Sequence, residues 1–201
     1  MFLLSPAHLG GKRGELVVSP SATFPLARQL QDDGAPLGEL FSFVSSLYFR
    51  GKVAYATVFA EPPLEVAGAL VITPGEGLRS LHEPVTLERL RRWAMVSIDA
   101  RDARFTEPLV HDAAQLERAH GATTRFVLLG SVASDKYVKP LLGVFGRRLL
   151  FPPAFVGRGD MSRGGLLLRA ASDRRELDYA PIEGTARHGQ RPARLGPRVV
   201  G

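Results

Sequence analysis

Residues 157–165 combine four glycines, two arginines, a serine and an aspartate between apolar runs. Glycine lets a backbone approach a ligand closely, and arginine presents a rigid fork of donors that suits phosphate oxygens. One interpretation is a site for the phosphate of a nucleotide or of a nucleic-acid backbone, with Arg158, Ser162 and Arg163 as its contacts. The other is a long polar turn between two strands, since glycine marks turns as well as sites.

Three loops follow apolar runs that we predict to be strands: residues 5–14, 73–78 and 130–137. In an open α/β sheet, ligands bind beyond the carboxyl ends of the strands, so these loops are expected at one edge. The third loop ends where a helix is predicted to begin, and free N–H groups there favour an anion. Taken singly, each polar residue here also fits a solvated surface, and Tyr137 also fits a core position. The candidate phosphate contacts outside residues 157–165 are Ser5, Lys12, Arg13, Arg50, Lys52, Ser134, Lys136, Tyr137 and Lys139.

Patterns typical of catalysis are scarce. The five histidines lack metal-ligand spacing, and the chain has no Walker A pattern, no dinucleotide-binding glycine pattern and no nucleophile elbow. His8 lies close to Ser5 in the sequence, but no third group that would orient the pair is identifiable. We therefore predict no metal and no cofactor, assign no catalytic residue, and leave open whether the protein is an enzyme.

Predicted strands and helices alternate along the chain. The predicted strands are residues 1–5, 67–73, 125–130 and 148–151. The predicted helices are residues 24–31, 37–47, 86–93, 112–120 and 134–145, the last one kinked or split at Pro140. Residues 15–18 are predicted to be a short strand or an extended segment, residues 94–99 a strand, residues 53–59 a helix or a strand, and residues 164–170 and 176–179 a hairpin. This order predicts an α/β fold: one domain over residues 1–183 with a mixed, largely parallel sheet flanked by helices.

Composition and charge restrict the class of protein. The 201 residues are 45% hydrophobic, which suits a globular chain, and the absence of cysteine excludes disulfides, thiolate metal ligands and thiol catalysis. The net charge is +6, but the four arginines after Glu183 leave only about +2 for the predicted domain. Residues 184–201 are rich in Arg, Gly and Pro, and are predicted to be a basic flexible tail. The apolar runs are too short to span a bilayer and the first residues do not form a signal peptide, so we expect a cytoplasmic protein without a membrane partner.

Four segments, in this order along the chain, resemble the YaaA-type peroxide-stress proteins. Residues 4–7 read Leu-Ser-Pro-Ala, similar to the Ser-Pro-Ala-Lys that follows the family's first strand, with His8 at the lysine position. Residues 49–53 read Phe-Arg-Gly-Lys-Val, where the family has Phe-Lys-Gly-Asp-Val-Tyr. Residues 132–137 read Val-Ala-Ser-Asp-Lys-Tyr, where it has Leu-Ala-Ser-x-Glu-Tyr. Residues 157–163 read Gly-Arg-Gly-Asp-Met-Ser-Arg, where it has Ala-Arg-Gly-x-Met-Ser-Arg.

The resemblance implies a single α/β domain with a positively charged cleft that binds DNA, and a role in limiting oxidative damage to DNA. Lys52 and Lys136 stand where the family has acids, which makes the cleft more basic. DNA is favoured over RNA as the partner, and no reaction follows from the resemblance.

Three hypotheses stay open at this point. The first is a DNA-binding protein whose basic cleft contacts the phosphate backbone. The second is an enzyme or sensor for a nucleotide or nucleobase bound in the same cleft. The third is an interaction protein in which the basic tail alone contacts nucleic acid.

Overall fold

A six-stranded sheet forms the centre of the molecule within the part of the chain that the structure describes. That part of the computed structural model comprises residues 1–45, 47–62, 66–122, 124–193 and 195–196. The strands are β1 (Phe2–Leu4), β2 (Ala35–Pro36), β3 (Ala69–Thr73), β4 (Gly77–Ser80), β5 (Pro84–Val85), β6 (Phe126–Leu129), β7 (Leu149–Phe151) and β8 (Ala180–Pro181).

The parallel strands occupy the middle of this sheet, in the order β4-β3-β1-β6-β7-β8. Strand β1 pairs in parallel with both β3 and β6, and β7 continues in parallel beside β6. The edge strands β4 and β8 are antiparallel to their neighbours, and β2 and β5 form a separate two-stranded ribbon. Leu4 lies opposite both Val71 and Leu129, so the segments that follow these strands leave from the same edge.

Helices cover both faces of the sheet. They are α1 (Lys12–Val18), α2 (Pro25–Asp32), α3 (Leu37–Ser45), α4 (Leu47–Phe59), α5 (Leu87–Ala94), α6 (Ala103–His120), α7 (Asp135–Phe145) and α8 (Asp160–Ser172), with short 3-10 turns at Gly146–Arg148 and Pro153–Phe155. One core joins Phe2 and Leu4 to the helices from α1 to α5 and to α8, whereas the other joins Leu3 to α6 and α7. Burial on both faces explains the continuous apolar strands. The predicted class, a single α/β domain with a mixed and mostly parallel sheet, is confirmed.

The hairpin predicted over residues 164–170 and 176–179 is wrong. Residues 164–170 lie inside α8, where the buried positions Gly164, Leu167 and Ala171 recur with the spacing of one helix face. Three consecutive leucines suggested a buried strand. In the helix only one of them, Leu167, is fully buried. Gly164, the first of the two glycines that suggested a turn, instead allows a close crossing with α4.

Other local predictions are corrected in the same way. Residues 15–18 belong to α1, so the extended prediction is wrong there, whereas residues 53–59 belong to α4, which is the helical one of the two predicted alternatives. Residues 94–99 form no strand; Val96 and Ile98 pack against the second core from an irregular segment. Helix α7 runs from Asp135 through Pro140 to Phe145, so it is not split at the proline.

The described part of the tail lies against the domain. Arg187 Nη1 is 2.8 Å from Asp135 Oδ1 at the start of α7, and the carbonyl of Ala193 accepts from Arg158 Nη1 at 3.4 Å. Arg194 and residues 197–201, which belong to the predicted tail, lie outside the described residues. No helix in the described ranges is long and apolar enough to cross a membrane.

Candidate functional site

A cleft of about 370 Å³ opens at the carboxyl ends of β1 and β6. The cleft lies between β1 and β6, where the direction in which strands are added to the sheet reverses. Strand β3 was added on one side of β1, and β6 and then β7 on the other. Crevices at such a switch point are the usual ligand sites of open α/β sheets. The residues that line it are Ser5, Pro6, Ala7, His8, Gly11, Val44, Ser45, Tyr48, Ile98, Ser131, Lys136, Tyr137 and Asp160.

Lys52 of α4 is fully buried directly behind this cleft. Its Nζ lies 2.5 Å from the carbonyl oxygen of Ser5 and 3.0 Å from Ser5 Oγ. The rings of Tyr48 and Phe49 approach the same Nζ, with centroids at 4.4 and 4.8 Å. Burial lowers the pKa of Lys52 to about 7; the charge of Asp160 opposes this shift and that of Arg163 adds to it. Near neutral pH the site therefore holds an amine that gains and loses a proton.

The position of Lys52 follows from the crossing of α4 and α8. A Cβ added at Gly51 would lie 2.7 Å from the carbonyl oxygen of Gly164, and one added at Gly164 would lie 2.8 Å from the Leu47 carbonyl oxygen. Two glycines at the contact let the helix backbones touch. This close approach places Lys52 next to the first turn of α8.

Ser5 is positioned by the sheet. Its N–H donates to the carbonyl of Leu129 at 3.2 Å, which continues the β1–β6 pairing by one residue. Gly130 makes room for the side chain, since a Cβ there would lie 2.9 Å from Ser5 Cβ and 3.1 Å from Ser5 Oγ. The Ser5 hydroxyl is therefore held between Lys52 and the wall of the cleft.

Two tyrosines line the cleft beside Ser5. Burial raises the pKa of both Tyr48 and Tyr137, so both are neutral hydroxyls over the physiological range. The Tyr48 hydroxyl is buried and has no hydrogen-bond partner among the residues that the structure describes. A buried hydroxyl without a hydrogen-bond partner is unusual; the charge of the neighbouring Arg163 opposes the rise in the pKa of Tyr48.

Asp160 and Arg163 form the α8 side of the cleft. Arg163 is buried; its Nε donates to the carbonyl of Phe155 at 3.3 Å and its Nη1 lies 3.4 Å from Asp160 Oδ1. The guanidinium also stacks near the Phe155 ring, 5.8 Å from its centroid. Arg163 therefore stabilises the start of α8 from the protein interior. The Asp160 carboxylate is 71% exposed and faces the cleft.

The N-terminus of α7 also reaches the cleft. The side chain of its N-cap residue, Ser134, accepts no hydrogen bond from the first N–H groups of α7. Asp135 in this turn pairs with Arg187, and Lys136 turns its side chain toward the cleft, with Nζ 5.0 Å from the Tyr137 ring centroid. Free N–H groups, the helix dipole and an ammonium group together favour an anion.

A second cleft of about 450 Å³ extends the first. The two share Ala7, His8, Ile98 and Lys136. The extension is more apolar, with Pro74, Trp93 and Val96 among its walls. The combined groove therefore has a polar end at Ser5 and Asp160 and an apolar end at Trp93.

The structure brings five of the predicted residues together. Ser5, Lys136 and Tyr137 line the cleft, and Lys52 and Arg163 lie buried behind it. The other candidates lie outside the lining. Lys12, Arg13, Arg50, Ser134 and Lys139 are exposed, and Arg158 and Ser162 are half-buried.

Two of these outer arginines have partners of their own. Arg158 donates from Nη1 to Ser162 Oγ at 3.1 Å and from Nε to the Ala154 carbonyl at 2.9 Å. Arg13 donates to the Phe43 carbonyl at 3.2 Å. Their guanidinium groups therefore hold the chain in place around the cleft.

Several lining residues were not predicted from the sequence. Tyr48 precedes Lys52 by four residues on one helix, and this spacing would have linked the two had residues 47–59 been read as helical. No sequence pattern indicates that Trp93 and Ile98 line the groove. Their place there depends on the contact between the end of α5 and the loop that follows β1. In the described part of the chain, no group of three His, Asp or Glu side chains could hold a metal ion.

Comparisons with known proteins identify no relative of this chain. No protein-family model, no curated protein and no solved structure matches the chain.

Proposed function

We propose that the groove binds a nucleotide. Its phosphate would occupy the N-terminus of α7 beside Lys136, and its base would lie in the apolar extension against Trp93 and Ile98. Asp160 and Tyr48 would accept and donate hydrogen bonds at the sugar. The observation that carries this proposal is the groove itself: a polar end with an uncapped helix terminus joined to an apolar arm, at the switch point of the sheet.

The nucleotide has two possible sources, a free molecule or one unit of a DNA strand. DNA is favoured by exposed cations on the elements that flank the groove: among the described residues, Lys12, Arg50 and Lys139 form no ion pair. Such cations position a phosphate backbone without reading its sequence. The resemblance to peroxide-stress proteins also favours DNA, and a role in limiting oxidative damage rests on that resemblance alone.

Isothermal titration of the full chain with nucleoside monophosphates, single-stranded DNA and duplex DNA tests the proposal. Lys136→Gln and Lys139→Gln are a matched pair, since both remove one positive charge from α7 but only Lys136 lines the groove. If a nucleotide binds in the groove, Lys136→Gln weakens binding at least about tenfold, or about 1.4 kcal/mol, and Lys139→Gln changes it little.

The arms of this experiment separate the sources. Binding of monophosphates identifies a free nucleotide as sufficient. Binding of DNA without binding of monophosphates identifies the strand. In that case the affinity should fall steeply with salt, and Lys139→Gln should reduce this salt dependence by about one phosphate contact. Equal effects of both variants on monophosphate binding, or no binding in any arm at low salt, would overturn the proposal.

A further inference from the structure

We infer that Ser5 and Lys52 form a nucleophile and its general base, with Ser5 Oγ attacking the carbonyl carbon of a carboxylic ester or amide held in the cleft. The inference adds a reaction to the site and does not require the bound molecule to be a nucleotide. A serine–lysine pair is an established alternative to triads that use histidine.

The geometry of the pair fits proton transfer. Lys52 Nζ lies 3.0 Å from Ser5 Oγ, within the hydrogen-bond reach that a base needs. A second contact, of 2.5 Å to the Ser5 carbonyl oxygen, uses one N–H of Lys52 and fixes the direction of the amine. In the neutral amine the remaining lone pair is then free to accept the Ser5 hydroxyl proton.

The surroundings of Lys52 keep the amine neutral for part of the time. Among the described residues no carboxylate forms an ion pair with it, and apart from Ser5 two aromatic rings lie against its amine. Its pKa of about 7 means that roughly half of the molecules at neutral pH carry the unprotonated base. A lysine with its usual pKa would be protonated and unable to accept the proton.

The reaction balances without a cofactor. As Ser5 Oγ bonds to the carbonyl carbon, its O–H bond breaks and the proton moves to Lys52 Nζ. When the tetrahedral intermediate collapses, the alcohol or amine leaves and takes that proton from the ammonium. Water then attacks the acyl-serine with Lys52 as base again, which releases the carboxylic acid and restores Ser5.

The negative oxygen of the intermediate needs a donor. Tyr48 lines the same cleft as Ser5, and its buried hydroxyl makes no hydrogen bond among the described residues, so a shift of its ring toward the cleft would let it donate to that oxygen. Its raised pKa keeps the hydroxyl proton in place throughout the reaction.

Covalent labelling with a fluorophosphonate tests the inference. This probe reacts with an activated serine: the Oγ–P bond forms, fluoride leaves and the base takes the proton. We expect one adduct per full-length chain by intact mass, located on Ser5 by peptide mass. Ser5→Ala abolishes the adduct, Lys52→Met slows labelling about 100-fold or more, and Ser21→Ala, which changes an exposed serine outside both clefts, labels like the wild type.

The pH dependence provides a readout that a purely structural role would not give. The labelling rate of the wild type should rise as the pH passes through about 7 and then level off. The groups that face Lys52 are Asp160 and Arg163 from α8, and Tyr48 on its own helix, whose pKa is raised by burial so that it stays neutral in this range.

The outcomes distinguish this inference from the proposed function. The two proposals are read from different experiments: nucleotide binding is tested through Lys136→Gln against Lys139→Gln, and the reaction through labelling of Ser5 and its dependence on Lys52. Absence of an adduct in the wild type, equal labelling of Ser5→Ala, or a rate independent of pH would each overturn the inference. None of these results would bear on nucleotide binding.

Discussion

Lys52 is the residue on which the account of the site depends most. An amine without a carboxylate partner is costly to bury, and a hydrophobic side chain of similar length would fill the same space. The chain instead keeps a lysine that contacts Ser5 twice, behind a cleft lined by Tyr48, whose buried hydroxyl makes no hydrogen bond among the described residues. This combination is expected where a proton or a ligand is handled, since perturbed groups gather at functional sites.

Replacing Lys52 should change how stability depends on pH. Its pKa is lower in the folded protein than in the unfolded chain, so the unfolded chain binds more protons between about pH 7 and about pH 10. The free energy of unfolding of the wild type relative to Lys52→Met should therefore grow by about 2 kcal/mol from about pH 7 to about pH 9. Urea denaturation over this range measures it, with exposed Lys139→Met as control, and parallel curves for the wild type and Lys52→Met would contradict it.

Sequence reasoning found part of the site at the scale of residues. Ser5, Lys136 and Tyr137 were predicted because each follows a strand end, and strand ends can be read from apolar runs. The buried positions of Lys52 and Arg163 could not be predicted, since they result from the contact of α4 with α8. The same contact buries Tyr48, which no local pattern indicates.

At the scale of elements, the crossing of α4 and α8 determines the shape of the cleft. Gly51 and Gly164 let the two backbones approach until neither position has room for a methyl group. The sequence did not predict this crossing, because Gly164-Gly165 followed by three leucines is equally typical of a turn and a strand. The strands of the parallel sheet were easier to predict, because burial on both faces leaves an uninterrupted apolar signal.

Adding a methyl group at the crossing should separate the helices. We expect Gly164→Ala to lower the free energy of unfolding by about 1–3 kcal/mol through overpacking, and to weaken nucleotide binding because Asp160 moves away from Tyr48. Gly143→Ala is the control, since a Cβ at Gly143 in α7 meets nothing within 4 Å. It should raise the free energy of unfolding by about 0.5–1 kcal/mol. Thermal or urea unfolding of both variants measures the difference, and equal effects would show that the crossing tolerates a side chain.

At the scale of the whole molecule, topology brings the site together. The carboxyl ends of β1 and β6 meet because the two strands pair in parallel with Leu4 opposite Leu129. The segments at residues 4–7, 49–53, 132–137 and 157–163 all reach this edge, although more than 150 residues separate the first from the last. A separate groove, which we call the opposite groove, lies among Glu61, Arg125 and Glu176 at the amino ends of the strands. It offers a different place for a ligand.

Amide hydrogen exchange of the full chain, with and without saturating nucleoside monophosphate and, in parallel, a saturating DNA strand, tests the central claim most directly. Binding at the switch point predicts slower exchange in residues 5–12, 96–98, 131–137 and 157–162, since these segments surround the groove. Protection confined to residues 59–62 and 124–127, which border the opposite groove, or no protection at all, would contradict the account.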